Sequence, residues 1–185
     1  VEVHVLVRPR AGGFRYDADE RELIRRDIRH SIARGAAGVV IGCQDATGAL
    51  DRDALAGFAD AAGDASVTLH RVIDVTPSPV DALRTARELG LRRVLTSGGA
   101  SAAIDGLDVL RGLVAEAAGG IEVMAGSGVT AANVATIAAT GVDAVHFSAK
   151  RAVADQGGVQ MGSAGAGHEV TDLDEALAVL AALGL

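Results

Sequence analysis

Three times along this chain a helical segment ends at a glycine and an apolar run follows at once. Arg34-Gly35 leads to Val40, Leu89-Gly90 to Leu95 and Thr140-Gly141 to Val145. A glycine just past a helix end takes the left-handed backbone that stops the helix, and a short apolar run bounded by such signals reads as a strand. Strands are therefore expected at 2–7, 38–41, 66–70, 93–96, 121–125 and 143–147. Helices are expected between them at 19–34, 51–62, 78–89, 102–118 and 130–139, with a last one at 172–183. Strand and helix in unbroken alternation imply a parallel sheet, because each crossover helix returns the chain in the same direction. Composition agrees: the chain is 49% hydrophobic but only 2% aromatic, with no Trp. Its core must be Ala, Val, Leu and Ile, which suits parallel strands buried under helices. A length of 185 residues makes one domain. Residues 1–150 supply its strands and helices, and 151–185 add a glycine-rich stretch at 157–167, read as a mobile loop, and the final helix.

The first strand distinguishes the two faces of the sheet. Val1, Val3, Val5 and Val7 alternate with Glu2, His4, Leu6 and Arg8, so the valines face the helices and the others face a lumen. The same parity sends His70, Glu122, Met124 and His146 inward. Ligand-like turns at many strand ends favour a TIM-barrel-type (β/α) barrel over an open doubly wound sheet, which concentrates its ligand turn at one switch point. Six strands do not close a ring of eight, and the chain starts with Val1 already on a strand. The expectation is an incomplete barrel, with two leading strand–helix units absent.

Charge and cysteine usage narrow the function. A net charge of −7 with no basic cluster argues against nucleic acid or an anionic membrane as partner. No apolar run approaches 18 residues and no signal peptide is visible, which points to a soluble cytoplasmic protein. A single cysteine, Cys43, allows neither an internal disulfide framework nor a four-thiolate metal site.

The stretch at 122–150 carries the clearest ligand chemistry. Its strand runs into Gly126-Ser127-Gly128 and then into a helical pattern from Thr130, an arrangement that turns backbone N–H groups toward an anion. The next strand ends in Ser148-Ala149-Lys150, so two successive strand ends converge as they do at barrel phosphate sites. The competing reading is that Gly126 and Gly128 only permit a tight turn. Elsewhere, Arg8 and Arg10 flank Pro9 and offer planar guanidinium forks for a carboxylate or phosphate. The alternative there is a solvated turn, with Asp17 or Asp19 as salt-bridge partner. His70, Arg71 and Asp74 follow the third strand, where Asp74 could orient the imidazole or Arg71 while His70 exchanges a proton. Ser97, Gly98 and Gly99, after Thr96, add hydroxyls and a further turn. Ser127 lacks the frame of a hydrolase nucleophile elbow.

Five ordered segments closely resemble the CutC family: V-H-V-L-V-R-P-R-A-G-G-F at 3–14, T-L-H-R-V-I-D at 68–74, R-V-L-T-S-G-G at 93–99, V-M-A-G-S-G-V at 123–129 and A-V-H-F-S-A at 144–149. The resemblance runs from Val1 to about Lys150. It implies a TIM-barrel fold, a cytoplasmic location, a homodimer and a role in copper homeostasis. Family members normally begin with two further strand–helix units that include a cysteine-bearing strand, and this chain lacks both.

Two readings follow. One is a copper-homeostasis protein binding Cu(I) through soft ligands, with Cys43 the metal candidate and Met124 and Met161 the other sulfurs. The other is a barrel isomerase or lyase acting on a small phosphorylated or carboxylated metabolite. For that reading the candidate catalytic residues are His4, Arg8, Arg10, His70, Arg71, Asp74 and His146. The anion-binding candidates are Ser97, Gly98, Gly99, Gly126, Ser127, Gly128 and Ser148.

Overall fold

The computed structural model describes residues 1–154 and 167–185. Six parallel strands form one sheet in sequence order: β1 (His4–Leu6), β2 (Gly38–Ile41), β3 (Ser66–Leu69), β4 (Arg93–Thr96), β5 (Glu122–Gly126) and β6 (Ala144–His146). The helices between them are α1 (Ala18–Ala33), α2 (Arg52–Ala62), α3 (Pro79–Glu88), α4 (Leu107–Ala117) and α5 (Val134–Ala138). Each of the first three starts on a side chain that accepts a first-turn N–H: Asp17 in a capping box with Glu20, Asp51, and Ser78 ahead of Pro79. The three predicted helix-ending glycines are left-handed, with φ of 94° at Gly35, 72° at Gly90 and 89° at Gly141.

Parity works within the strands as the alternation implies, but β1 is shorter than expected, and Val1 and Val3 lie ahead of it, exposed and not against the helices. Val39, Ile41, Val67, Leu69, Val94 and Val123 join the buried cluster with Ile24 and Ile28 of α1, Phe58 of α2 and Leu83 of α3. Each such side chain contributes roughly 1.5–3 kcal/mol by leaving water. The opposite, concave face carries His4, Leu6, Thr68, His70, Leu95, Met124 and His146. Glu122 sits at its base, bridging Arg92 and Arg93.

The sheet does not close into a ring. Among the described residues β1 pairs only with β2 and β6 only with β5, and Leu6 at the open side is 58% exposed. The architecture is a curled half-barrel of six parallel strands with helices.

Two regions depart from expectation. The helix expected at 130–139 shrinks to five residues, because Asn133 takes the Thr130 N–H on its side chain and donates to Gly128 O. After β6 an antiparallel hairpin, β7 (Lys150–Ala154) with β8 (Gly167–Thr171), precedes α6 (Leu173–Ala182). Most of the glycine-rich stretch predicted as a loop, 157–166, lies outside the described residues, and Gly167 opens β8.

Several lumen positions admit no Cβ. A methyl group at Gly42 would overlap the His70 ring, and one at Gly38 would overlap His4. One at Gly126 would meet Leu95 Cδ1 at 2.6 Å and His146 Cβ at 3.3 Å. Gly112, exposed within α4, has open space around it. Gly42→Ala should therefore lower stability by about 1–3 kcal/mol, whereas Gly112→Ala should raise it by roughly 0.5–1 kcal/mol. Urea midpoints of the two variants give opposite shifts if lumen crowding, and not backbone freedom, demands the first glycine.

Candidate functional site

The most constrained group near the strand ends is Asp74, on the 3-10 turn Arg71–Val75 after β3. Its side chain is 4% exposed. It accepts from Thr96 Oγ1 at 2.5 Å, Ser97 N–H at 3.0 Å, Ser97 Oγ at 3.0 Å and Gly99 N–H at 3.0 Å. Arg71 Nε completes the set at 2.7 Å. Gly98 N–H goes to Thr96 Oγ1. This overturns the anion-binding expectation for Ser97, Gly98 and Gly99, because an internal carboxylate already occupies the turn they form. Nor does Asp74 orient His70. It holds Arg71, whose Nη2 also donates to Ser97 Oγ at 2.7 Å and Ala100 O at 3.2 Å. The expected His–Asp acid–base pair is not assembled.

The turns after β5 and β6 do come together. Ser127, Gly128, Val129, Ser148 and Lys150 line a single cleft of about 450 Å³ that also takes in Arg71, His146 and Glu175. The backbone there is strained: Ser127 has φ 83°, Gly128 65° and Ala149 44°. A left-handed residue other than glycine costs of order 1 kcal/mol or more. Turns of this kind can present successive N–H groups to an anion. The N–H groups of Ser127, Gly128 and Val129 have no acceptor among the described residues. Helix polarity adds nothing, since α5 begins at Val134 and is too short. Gly126 serves by its lack of a side chain, leaving room for Leu95 and His146.

The arginines before α1 do not reach this cleft. Arg10 pairs with Glu20, donates to Arg15 O at 2.8 Å and lies 5.3 Å from the Tyr16 ring centroid. It braces the loop, its partner being Glu20 and neither Asp17 nor Asp19. Arg8 lies 4.6 Å from the Phe14 ring centroid, donates to Gly12 O and lines the lumen. His4 is at the lumen's lower end, 3.8 Å from Glu2.

His70 lines the upper lumen and is 6% exposed. Its Nδ1 accepts from Val72 N–H at 3.1 Å, so the neutral ring carries its proton on Nε2. That Nε2 is buried without a partner among the described residues. Burial, and then the nearby Arg8 guanidinium, push its pKa down to about 4. Parity alone located this residue; its unpartnered nitrogen had no signature in the sequence.

A model of the CutC family matches residues 1–151. The chain belongs to the CutC family. It is 43% identical over 157 residues to the family protein CutC of Xanthomonas campestris pv. campestris, covering 84% of this chain and 65% of that one. It therefore spans 65% of the length of that curated relative. Among solved structures it is similar to a protein named copper homeostasis protein CutC from Streptococcus agalactiae, with TM-score 0.75, 28% identity, and 79% and 72% of the two chains covered. A mandelate racemase/muconate lactonizing enzyme from a marine actinobacterium, at TM-score 0.59 and 18% identity over 80% of this chain and 40% of its own, shares the fold.

The described residues of this CutC chain do not fit a Cu(I) site. Cys43 is 0% exposed inside the helix-side core, and burial pushes its thiol up to about 11, so a metal would have both to reach a closed sulfur and to displace its proton. Met124 lies on the other face of the sheet, in the lumen. Met161 lies outside the described residues. No group of three or more His, Cys, Asp or Glu among the described residues could hold a metal ion.

His70 also sets a pH dependence. A histidine titrating near 4 when folded and near 6.5 when unfolded stabilises the fold fully above about pH 6.5. That contribution, roughly 3 kcal/mol, is lost as pH falls from 6.5 toward 4. Urea unfolding across this range should show the decline and His70→Gln should flatten it. An equally steep decline in the variant would contradict the assignment.

Proposed function

We propose that this CutC-family chain serves copper homeostasis, as its Streptococcus agalactiae relative is named, and that its own site holds a small anionic ligand at the barrel mouth. The observation that carries the reading is the convergence of two left-handed turns on one cleft shared with Arg71 and Lys150, where the N–H groups of Ser127–Val129 have no acceptor among the described residues. Arg71 is held in place by Asp74, so its charge is pre-oriented and an anion need not order it. Lys150, paired with Glu169 at 2.6 Å, is a weaker contributor.

Copper enters as the process served and not as an ion held by Cys43. No helix among the described residues is long and apolar enough to cross a membrane, and we read the chain as cytoplasmic. The unpaired edges of β1 and β6 suit pairing with further strands, and a second copy is the partner we favour.

Gly128→Asp is a poor probe, because a Cβ at this left-handed residue would meet Ala102 Cβ at 2.9 Å. Arg71→Gln is cleaner, since Asp74 keeps its Thr96, Ser97 and Gly99 donors. Calorimetric titration with inorganic phosphate should show saturable binding that Arg71→Gln weakens by about tenfold or more. Phosphate affinity equal in the two proteins would overturn the anion reading.

Copper is tested separately. Cys43→Ser should lower stability by about 1 kcal/mol or more, because it buries a hydroxyl among apolar groups. Cu(I) retention against a competing chelator should be unchanged. Tight retention that vanishes in Cys43→Ser would make the thiol a copper ligand after all.

A further inference from the structure

The mouth cleft continues into a second cavity of about 510 Å³ on the concave face of the sheet, and the two share Arg71, Leu95 and His146. This lower cavity has a different character. Its wall is mainly apolar, with Leu6, Phe14, Val40, Leu95 and Met124 among its residues, and Arg8, Arg71 and Arg93 also line it. At its upper wall lies the one buried imidazole of the lumen, His70, 94% removed from solvent, with a proton on Nε2 and nothing among the described residues to receive it. A buried N–H left unpaired costs about 1–3 kcal/mol. His70 is held in this state by Val72 N–H on its other nitrogen and by Phe14, whose ring centroid is 4.8 Å from its own.

We infer that this cavity receives the organic body of the ligand whose anionic head sits at the mouth, and that His70 Nε2–H donates to an acceptor on that body. The ligand class is a phosphate ester with a flat, mainly apolar body and an oxygen acceptor at the end remote from the phosphate. The inference rests on the anion reading of the cleft. Inorganic phosphate would fill the mouth alone, whereas an aryl ester would also displace water from Leu6, Leu95 and Met124. Because Nε2 is sealed from solvent, an acceptor reaches it only when a neighbouring side chain turns aside, and Phe14, packed on the imidazole, is the candidate. Phe14 stands on the loop between β1 and α1, close to Gly12 at φ 94° and to Gly13, around which there is open space.

Three probes separate the steps: inorganic phosphate, phenyl phosphate and 4-nitrophenyl phosphate, titrated calorimetrically into the chain and its variants. Affinity should rise about tenfold from phosphate to phenyl phosphate, as apolar surface is buried. It should rise a further few-fold to 4-nitrophenyl phosphate, whose nitro group supplies the acceptor. His70→Phe should erase only the last increment, and Arg71→Gln should weaken all three ligands. Should His70→Phe fail to fold, the imidazole 15N resonances of the unaltered protein decide. The Nε2 signal should move with 4-nitrophenyl phosphate and stay still with inorganic phosphate. Phosphate binding without any gain for the aryl esters would overturn this inference while leaving the mouth site intact. An aryl ester that binds while phosphate does not would remove the anion reading beneath it. A last increment that survives His70→Phe, or an Nε2 resonance unmoved by 4-nitrophenyl phosphate, would remove the donor role.

Discussion

The buried carboxylate of Asp74 ties together the ends of β3 and β4 and the arginine between them. A charge this deep in the protein persists only when its oxygens are filled by donors, and Thr96, Ser97, Gly99 and Arg71 fill them. Closing the turn after β4 in this way has two effects. It removes that turn from any competition for ligand, and it fixes Arg71 at the boundary between lumen and mouth. An exposed arginine would have to lose rotamer freedom on meeting an anion, a cost of up to about 2 kcal/mol that the fold has already met here.

The fold was legible because it is written in a period that survives without tertiary information. Apolar runs and the glycine stops at Gly35, Gly90 and Gly141 are local signals, and all six strands follow them. Strand parity also placed His4, His70 and His146 on the concave face. What parity could not show was where each polar group spends its hydrogen bonds. Thr96-Ser97-Gly98-Gly99 and Gly126-Ser127-Gly128 look alike as sequence, yet the first encloses a carboxylate from 22 to 25 positions upstream, while the N–H groups of Ser127 and Gly128 in the second have no acceptor among the described residues. Only three-dimensional proximity distinguishes a turn that has found an internal anion from one that has not. The length of α5 was overestimated for a related reason. Asn133 competes with the helix for its own first turn, and apolar periodicity carries no trace of that competition.

Cysteine gives the opposite lesson. A lone thiol in a chain resembling a copper-homeostasis family invites a metal assignment, and Cys43 was the candidate. Its position at the end of β2 puts the sulfur on the helix side of the sheet, and burial there keeps the proton on it. Reactivity requires a partly exposed, electropositive surrounding. The Arg21 charge nearby is too small an influence to reverse the effect of burial, and Asp51, its ion-pair partner at 2.7 Å, works against it.

The glycines that face the lumen histidines are hemmed in by more than the rings. A Cβ on Gly38 would overlap Ser66 O as well as His4, one on Gly42 would meet Val72 Cγ1 at 2.7 Å as well as His70, and one on Gly126 would meet Leu95 Cδ1 at 2.6 Å before any atom of His146. Replacing a histidine by a smaller residue would therefore not free its glycine to grow. At these three places the lumen accepts a side chain on the glycine only when several neighbours change together, so their substitutions are expected to be strongly non-additive.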